Sequence, residues 1–86
     1  MMIYVSIMTQ SPVLIGIENA KGILKSELKR RNLKYADLVM NLSEMGINET
    51  EVNIRNKISR GTFTAAFFLQ CLLAIGCEQV VLKRPN

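Results

Sequence analysis

Eighty-six residues give room for one hydrophobic core and exclude a chain of several independent domains. With 49% hydrophobic and 21% charged residues the chain is too apolar for a disordered tail, and its net charge of +4 favours an anionic partner. It contains no histidine, no nucleophile with a neighbouring base and no glycine-rich phosphate loop, so an enzyme is not expected.

From Met1 to Ile17 the chain is apolar but lacks a basic leader, and Gln10, Ser11 and Pro12 interrupt it. It reads as neither a signal peptide nor a membrane span, and a cytoplasmic protein with no membrane contact is expected. Ile3 to Met8 is rich in β-branched residues, and residues 1–18 are read as an N-terminal extension that can hold a short strand. The first helix is predicted from about Glu18 to Arg31, with Ile17, Ala20, Leu24 and Leu28 on one face at spacings of three and four. The second is predicted from about Tyr35 to Met45, where Leu38, Leu42 and Met45 repeat at helical spacing and Asp37 sits in the first turn.

A third helix is predicted to open at Asn48, whose side chain and that of Glu51 can satisfy free N–H groups reciprocally. On a wheel of 100° per residue, Ile47, Ile54 and Ile58 gather on one side while Asn53, Asn56, Lys57 and Arg60 fall on the other. The fourth, from about Thr64 to Ile75, is apolar almost all round and is expected to be buried on more than one side. Gly46, Gly61 and Gly76 each follow a helical run, at the place where a left-handed cap residue belongs. Cys71 and Cys77 have no other thiol or imidazole with which to build a zinc site; no metal or cofactor is expected, and both read as reduced core thiols. Gln79 to Lys83 can form a second terminal strand, within a strand or tail at 78–86, pairing with the first strand or across a dimer.

Residues 20 to 76 resemble the helix-turn-helix domains of the Cro and phage-repressor (xenobiotic-response-element) type. LKSELKRRNL at 24–33 looks like the first helix of that family, KYADL at 34–38 like the opening of its second, Gly46-Ile47-Asn48 like its turn, and Ile58-Ser59-Arg60-Gly61 like the close of its recognition helix. KRRNLKYADL with NIRNKISRGTFTAAFFLQCLLAIGC is similar, more narrowly, to a family of small bacterial proteins catalogued as a domain of unknown function. The resemblance implies an all-α domain of four to five helices, lambda-repressor-like, at 19–77. It also implies sequence-specific binding of double-stranded DNA by a homodimer that regulates transcription.

Three additional residues between Gly46 and Arg60 lengthen this chain relative to the wider pattern, so the DNA contacts are read from the helix face instead. Asn53, Asn56 and Lys57 are expected at base edges, since Asn suits adenine and Lys suits guanine. Arg30, Arg31, Lys34, Tyr35 and Arg60 are expected at the phosphates. Between Asn19 and Lys34 six cations stand against Glu27 alone. The rival expectation is a protein-interaction module on the same fold, motivated by Glu49, Glu51 and Val52 where groove-reading residues would lie.

Overall fold

The computed structural model describes residues 12–82. The first helix, α1, spans Pro12–Arg30, about 28 Å at a rise of 1.5 Å per residue. It is helical well ahead of the expected start near Glu18. Pro12, read as an interruption, is compatible with a first turn because the N–H it lacks has no intrahelical acceptor there. Leu24 and Leu28, one turn apart, are buried. The helix ends in a left-handed turn at Asn32, φ 57°. The N–H of Leu33 donates to the Leu28 carbonyl at 2.8 Å and that of Asn32 to the Lys29 carbonyl at 3.0 Å, which satisfies the last carbonyls and folds Leu33 back onto the core. Glycine marks such turns in a sequence; here the short amide side chain of asparagine serves.

Helix α2 spans Tyr35–Glu44. The Asp37 carboxylate accepts the Lys34 N–H at 2.8 Å and holds the chain at its entry to the helix. Gly46, φ 83°, closes α2, and the Ile47 N–H donates back to the Leu42 carbonyl at 2.9 Å. Helix α3 spans Glu51–Arg60. Its cap is Thr50, whose hydroxyl accepts the Asn53 N–H at 3.1 Å, and not the expected pair of Asn48 and Glu51. Ile47 is anchored to the end of α2 and Glu49 is held by Lys57, so residues 47–50 stay outside the helix.

Gly61, φ 68°, ends α3 pressed against α1. A Cβ there would meet Ile17 Cγ2 at 2.7 Å and the Ile17 carbonyl oxygen at 2.9 Å. The motif residue that closes α3 is therefore also a point at which α3 touches α1.

Helix α4 spans Ala65–Ala74, capped by the Thr64 hydroxyl, which accepts the Phe67 N–H at 3.0 Å. Gly76, φ 77°, ends it as expected. Helices α1 and α2 each pack against both α3 and α4. The core lies between them: Leu24 and Leu28 from α1, Leu38 and Leu42 from α2, Ile54 and Ile58 from α3, with Phe67, Cys71 and Leu72 from α4.

Among the described residues the architecture is all-α, four helices in the order expected. Two expectations are corrected. Helix α4 is buried on one side only, leaving Leu69 and Leu73 57% and 65% exposed, because no described element covers its outer face. Residues 79–82 form no strand, and no described segment lies beside them as a strand to complete a ladder. The strand expected at Ile3 to Met8, and Lys83, lie outside the described residues. Met45, assigned to the apolar stripe of α2, is 43% exposed, as the residue that leads out of the helix. No described helix is long and apolar enough to cross a membrane.

Candidate nucleic-acid interface

The inward side of α3 is fixed by Ile54 and Ile58, both fully buried. On the helical wheel the opposite direction then falls on Asn56, with Val52 and Arg60 about 40° to either side; Asn53 lies beyond Arg60, and Ser59 and then Arg55 lie beyond Val52. All six are exposed. Asn53 and Asn56 thus stand where the sequence predicted them. Arg60 is exposed and makes no ion pair among the described residues.

Lys57 does not join them. Its Nζ lies 2.7 Å from Glu49 Oε2 and 4.6 Å from the centroid of the Phe67 ring. The side chain runs from α3 across the turn to α4, so a lysine assigned to base edges instead ties three segments of the fold together. A half-buried ammonium gains from both the carboxylate and the ring face because water screens it poorly there. The thiol of Cys71 registers the same surroundings. Burial pushes its pKa up to about 12, with Glu49 adding to the rise and Lys57 opposing it.

The acidic residues that appeared to oppose DNA are both engaged. Glu49 is held by Lys57, and Glu51 is bonded to Arg55 at 2.9 Å, one turn along α3. Arg55 also lies over the Tyr35 ring, 5.8 Å from its centroid. It links the start of α2 to the flank of α3, a role the sequence reading missed; the spacing of four between Glu51 and Arg55 was the available signal.

Tyr35 in turn lines an open groove of about 440 Å³ between α1 and the start of α2, walled by Lys25, Lys29 and Lys34 over an apolar floor that includes Leu28 and Leu33. None of the three lysines has a carboxylate within ion-pair distance among the described residues. Lys34 was expected at such a surface. Lys25 and Lys29 were counted in the charge of the segment but not assigned a contact.

The two arginines of the basic run separate. Arg30 is exposed and bonded to Glu27 at 2.6 Å. Arg31 donates from Nε to the Ile75 carbonyl at 3.0 Å, reaches the Gly76 carbonyl at 3.4 Å and pairs with Glu27. It therefore fastens the end of α1 to the end of α4, where a helix leaves carbonyls in need of donors. Arg31 is a structural residue and is not free for phosphate. The Arg30 hydrogen bond holds the Glu27 carboxyl below its ordinary value of 4.5; desolvation opposes this and the Arg31 bond adds to it.

A family described as a domain of unknown function (DUF6471) matches residues 17–80, most of the chain, and the chain belongs to that family. No curated protein matches the chain, and no solved structure does.

Proposed function

We propose that this member of the DUF6471 family is a DNA-binding regulator in which α2, the turn and α3 act as a helix-turn-helix of the Cro and phage-repressor type. In this reading α3 enters the major groove with Asn53 and Asn56 at base edges, and Ser59 and Arg60 continue the same face. Lys25, Lys29 and Lys34 lie along one strand's phosphates, with Tyr35 and Arg55 between the two surfaces. Lys57 and Arg31 serve the fold.

One observation carries the proposal: Glu49 and Glu51, the carboxylates at the start of α3, are each paired with a basic residue of that helix, while among the described residues Lys25, Lys29 and Lys34 at the neighbouring groove have no carboxylate within ion-pair distance. Phosphates meeting this surface would find cations beside glutamates that are already paired, and the polar groups needed for base edges lie in between. A single domain covers one half-site, so useful affinity requires a homodimer on a two-fold operator in the cytoplasm.

Fluorescence anisotropy with labelled duplex, enriched for binding from a random pool, tests this. Asn56→Ala should weaken binding to the enriched duplex by roughly 1–3 kcal/mol and leave random DNA nearly unaffected. Lys34→Ala should weaken both and reduce the salt slope by about one. Equal, salt-insensitive affinity in the wild type and both variants would remove the proposal. A protein-interaction module is the second reading, favoured by Val52, 60% exposed near the centre of the outward face of α3; Val52→Lys would then abolish partner capture while leaving DNA affinity absent throughout.

A further inference from the structure

Helix α1 ends at Arg30 and α2 begins at Tyr35, and the hollow between them is walled by Lys25, Lys29 and Lys34. Its shape is fixed by the backbone. Asn32 turns at φ 57°, the Leu33 N–H is held by the Leu28 carbonyl, and the Lys34 N–H is held by Asp37. Leu28 and Leu33 form the floor, and the methylene stems of the lysines extend apolar surface up the walls. Tyr35 adds an aromatic ring and Asn32 an amide.

We infer that this groove binds a small aromatic monoanion, a flat ring system carrying one carboxylate, and that its occupation displaces DNA. The displacement rests on the DNA reading, because the same three lysines are assigned there to phosphates; the binding site itself does not. Charge is the first feature that selects this occupant. Lys25 and Lys29 stand one turn apart on α1, where like charges repel, and no described carboxylate is within ion-pair distance of either or of Lys34. An anionic head group among them relieves that repulsion.

The floor is the second feature. A strand of phosphates would engage the ammonium groups and leave Leu33 and Tyr35 without a partner, whereas a flat ring buries apolar surface on the one and packs against the ring of the other. Size is the third. At about 440 Å³ the groove falls within the range of roughly 300–1,000 Å³ that small-ligand sites occupy, and its backbone bonds form it in advance of any ligand. The groove of about 410 Å³ beside α4 is the internal comparison: it is equally apolar in kind but is lined by Glu78 and by no cation, so it offers nothing to a carboxylate.

Titration of the isotope-labelled full chain with naphthylacetate, followed by amide chemical shifts at constant ionic strength, tests the site. Shifts should centre on residues 25–35 with a dissociation constant of about 0.1–1 mM. Acetate, which has the head group without the ring, and naphthylethanol, which has the ring without the charge, should each bind about tenfold more weakly or not at all. Lys25→Gln with Lys29→Gln should weaken naphthylacetate about tenfold, and Leu69→Gln, at the rim of the α4 groove, should leave it unchanged. The lysine positions are exposed, so the fold should survive both exchanges, and an unchanged amide spectrum without ligand verifies it. Shifts that centre on α4, equal binding of naphthylethanol, or no saturation by several millimolar would each overturn the inference. Displacement is read separately, as the loss of anisotropy of labelled duplex on adding naphthylacetate with acetate as the salt control. A duplex that stays bound while the groove is saturated overturns the displacement; a chain that binds naphthylacetate in the groove and no duplex at all removes the DNA reading and keeps the site.

Discussion

Replacing Gly61 by alanine perturbs two things at once, and the structure allows them to be separated. The φ of 68° places the residue in the left-handed region, which costs a residue with a Cβ about 1–2 kcal/mol. The new Cβ also falls 2.7 Å from Ile17 Cγ2, 2.9 Å from the Ile17 oxygen and 3.2 Å from Lys21 Cβ. A side-chain tip can rotate away, but a backbone carbonyl in the second turn of α1 cannot, so α1 and α3 must move apart at a further cost of about 1–3 kcal/mol. Gly61→Ala should therefore lose about 2–5 kcal/mol. Gly46 is the control: its φ is 83°, yet a Cβ there meets nothing within 4 Å, so Gly46→Ala should lose only the conformational part, about 1–2 kcal/mol. In thermal melts followed by circular dichroism, a domain of this size shifts about 4–8 °C per kcal/mol, and the two variants should differ by about 4–24 °C. Equal losses would show that α3 does not seat on α1 at Gly61 and would refute the packing derived for that junction.

Three further perturbations have definite outcomes. Arg31→Ala should cost about 1–3 kcal/mol by leaving the Ile75 and Gly76 carbonyls without their donor, and Arg31→Lys should not recover it, because one ammonium cannot span both carbonyls and Glu27; a melting temperature unchanged in Arg31→Ala contradicts this. Cys71, with its pKa raised to about 12, should resist alkylation at neutral and mildly basic pH and react only when the protein opens, so that native labelling at the rate of a free thiol would be the contrary result in a mass-spectrometric time course. Glu27, held below its ordinary 4.5, contributes stability above that value and loses it as the pH falls through its lowered pKa. Glu27→Gln should accordingly flatten the acid branch of a plot of melting temperature against pH, and an identical branch in both proteins would contradict the pairing.

Much of the fold was legible because its punctuation is local. The glycines at 46, 61 and 76 marked three helix ends, each at positive φ as a left-handed cap requires, and the leucine and isoleucine spacings identified the inward faces of α1, α2 and α3. Asn32 and Pro12 were harder, since an asparagine turn and a proline start look in sequence like a loop and a break. Helix α4 failed for a different reason: its composition states how apolar it is, not how many neighbours it has, and the exposed side with Leu69 and Leu73 is a tertiary fact. The site divided in the same way. Asn53, Asn56, Arg60 and Lys34 keep the exposure a helical wheel assigns, because their positions depend on one helix or one helix start. Lys57 and Arg31 have long side chains that reach partners on other segments, Glu49 with Phe67 and the end of α4 respectively, and no periodicity encodes such a reach.

The most direct measurement is a selection of duplexes bound by the full-length chain from a random library, followed by titration of the enriched sequence over a series of salt concentrations. Groove reading by α3 predicts a recurrent motif and an association constant that falls linearly on logarithmic axes with salt, with a slope set by the phosphates that Lys25, Lys29, Lys34 and their neighbours neutralise. A pool that stays random after repeated rounds, together with binding indifferent to salt, would contradict it.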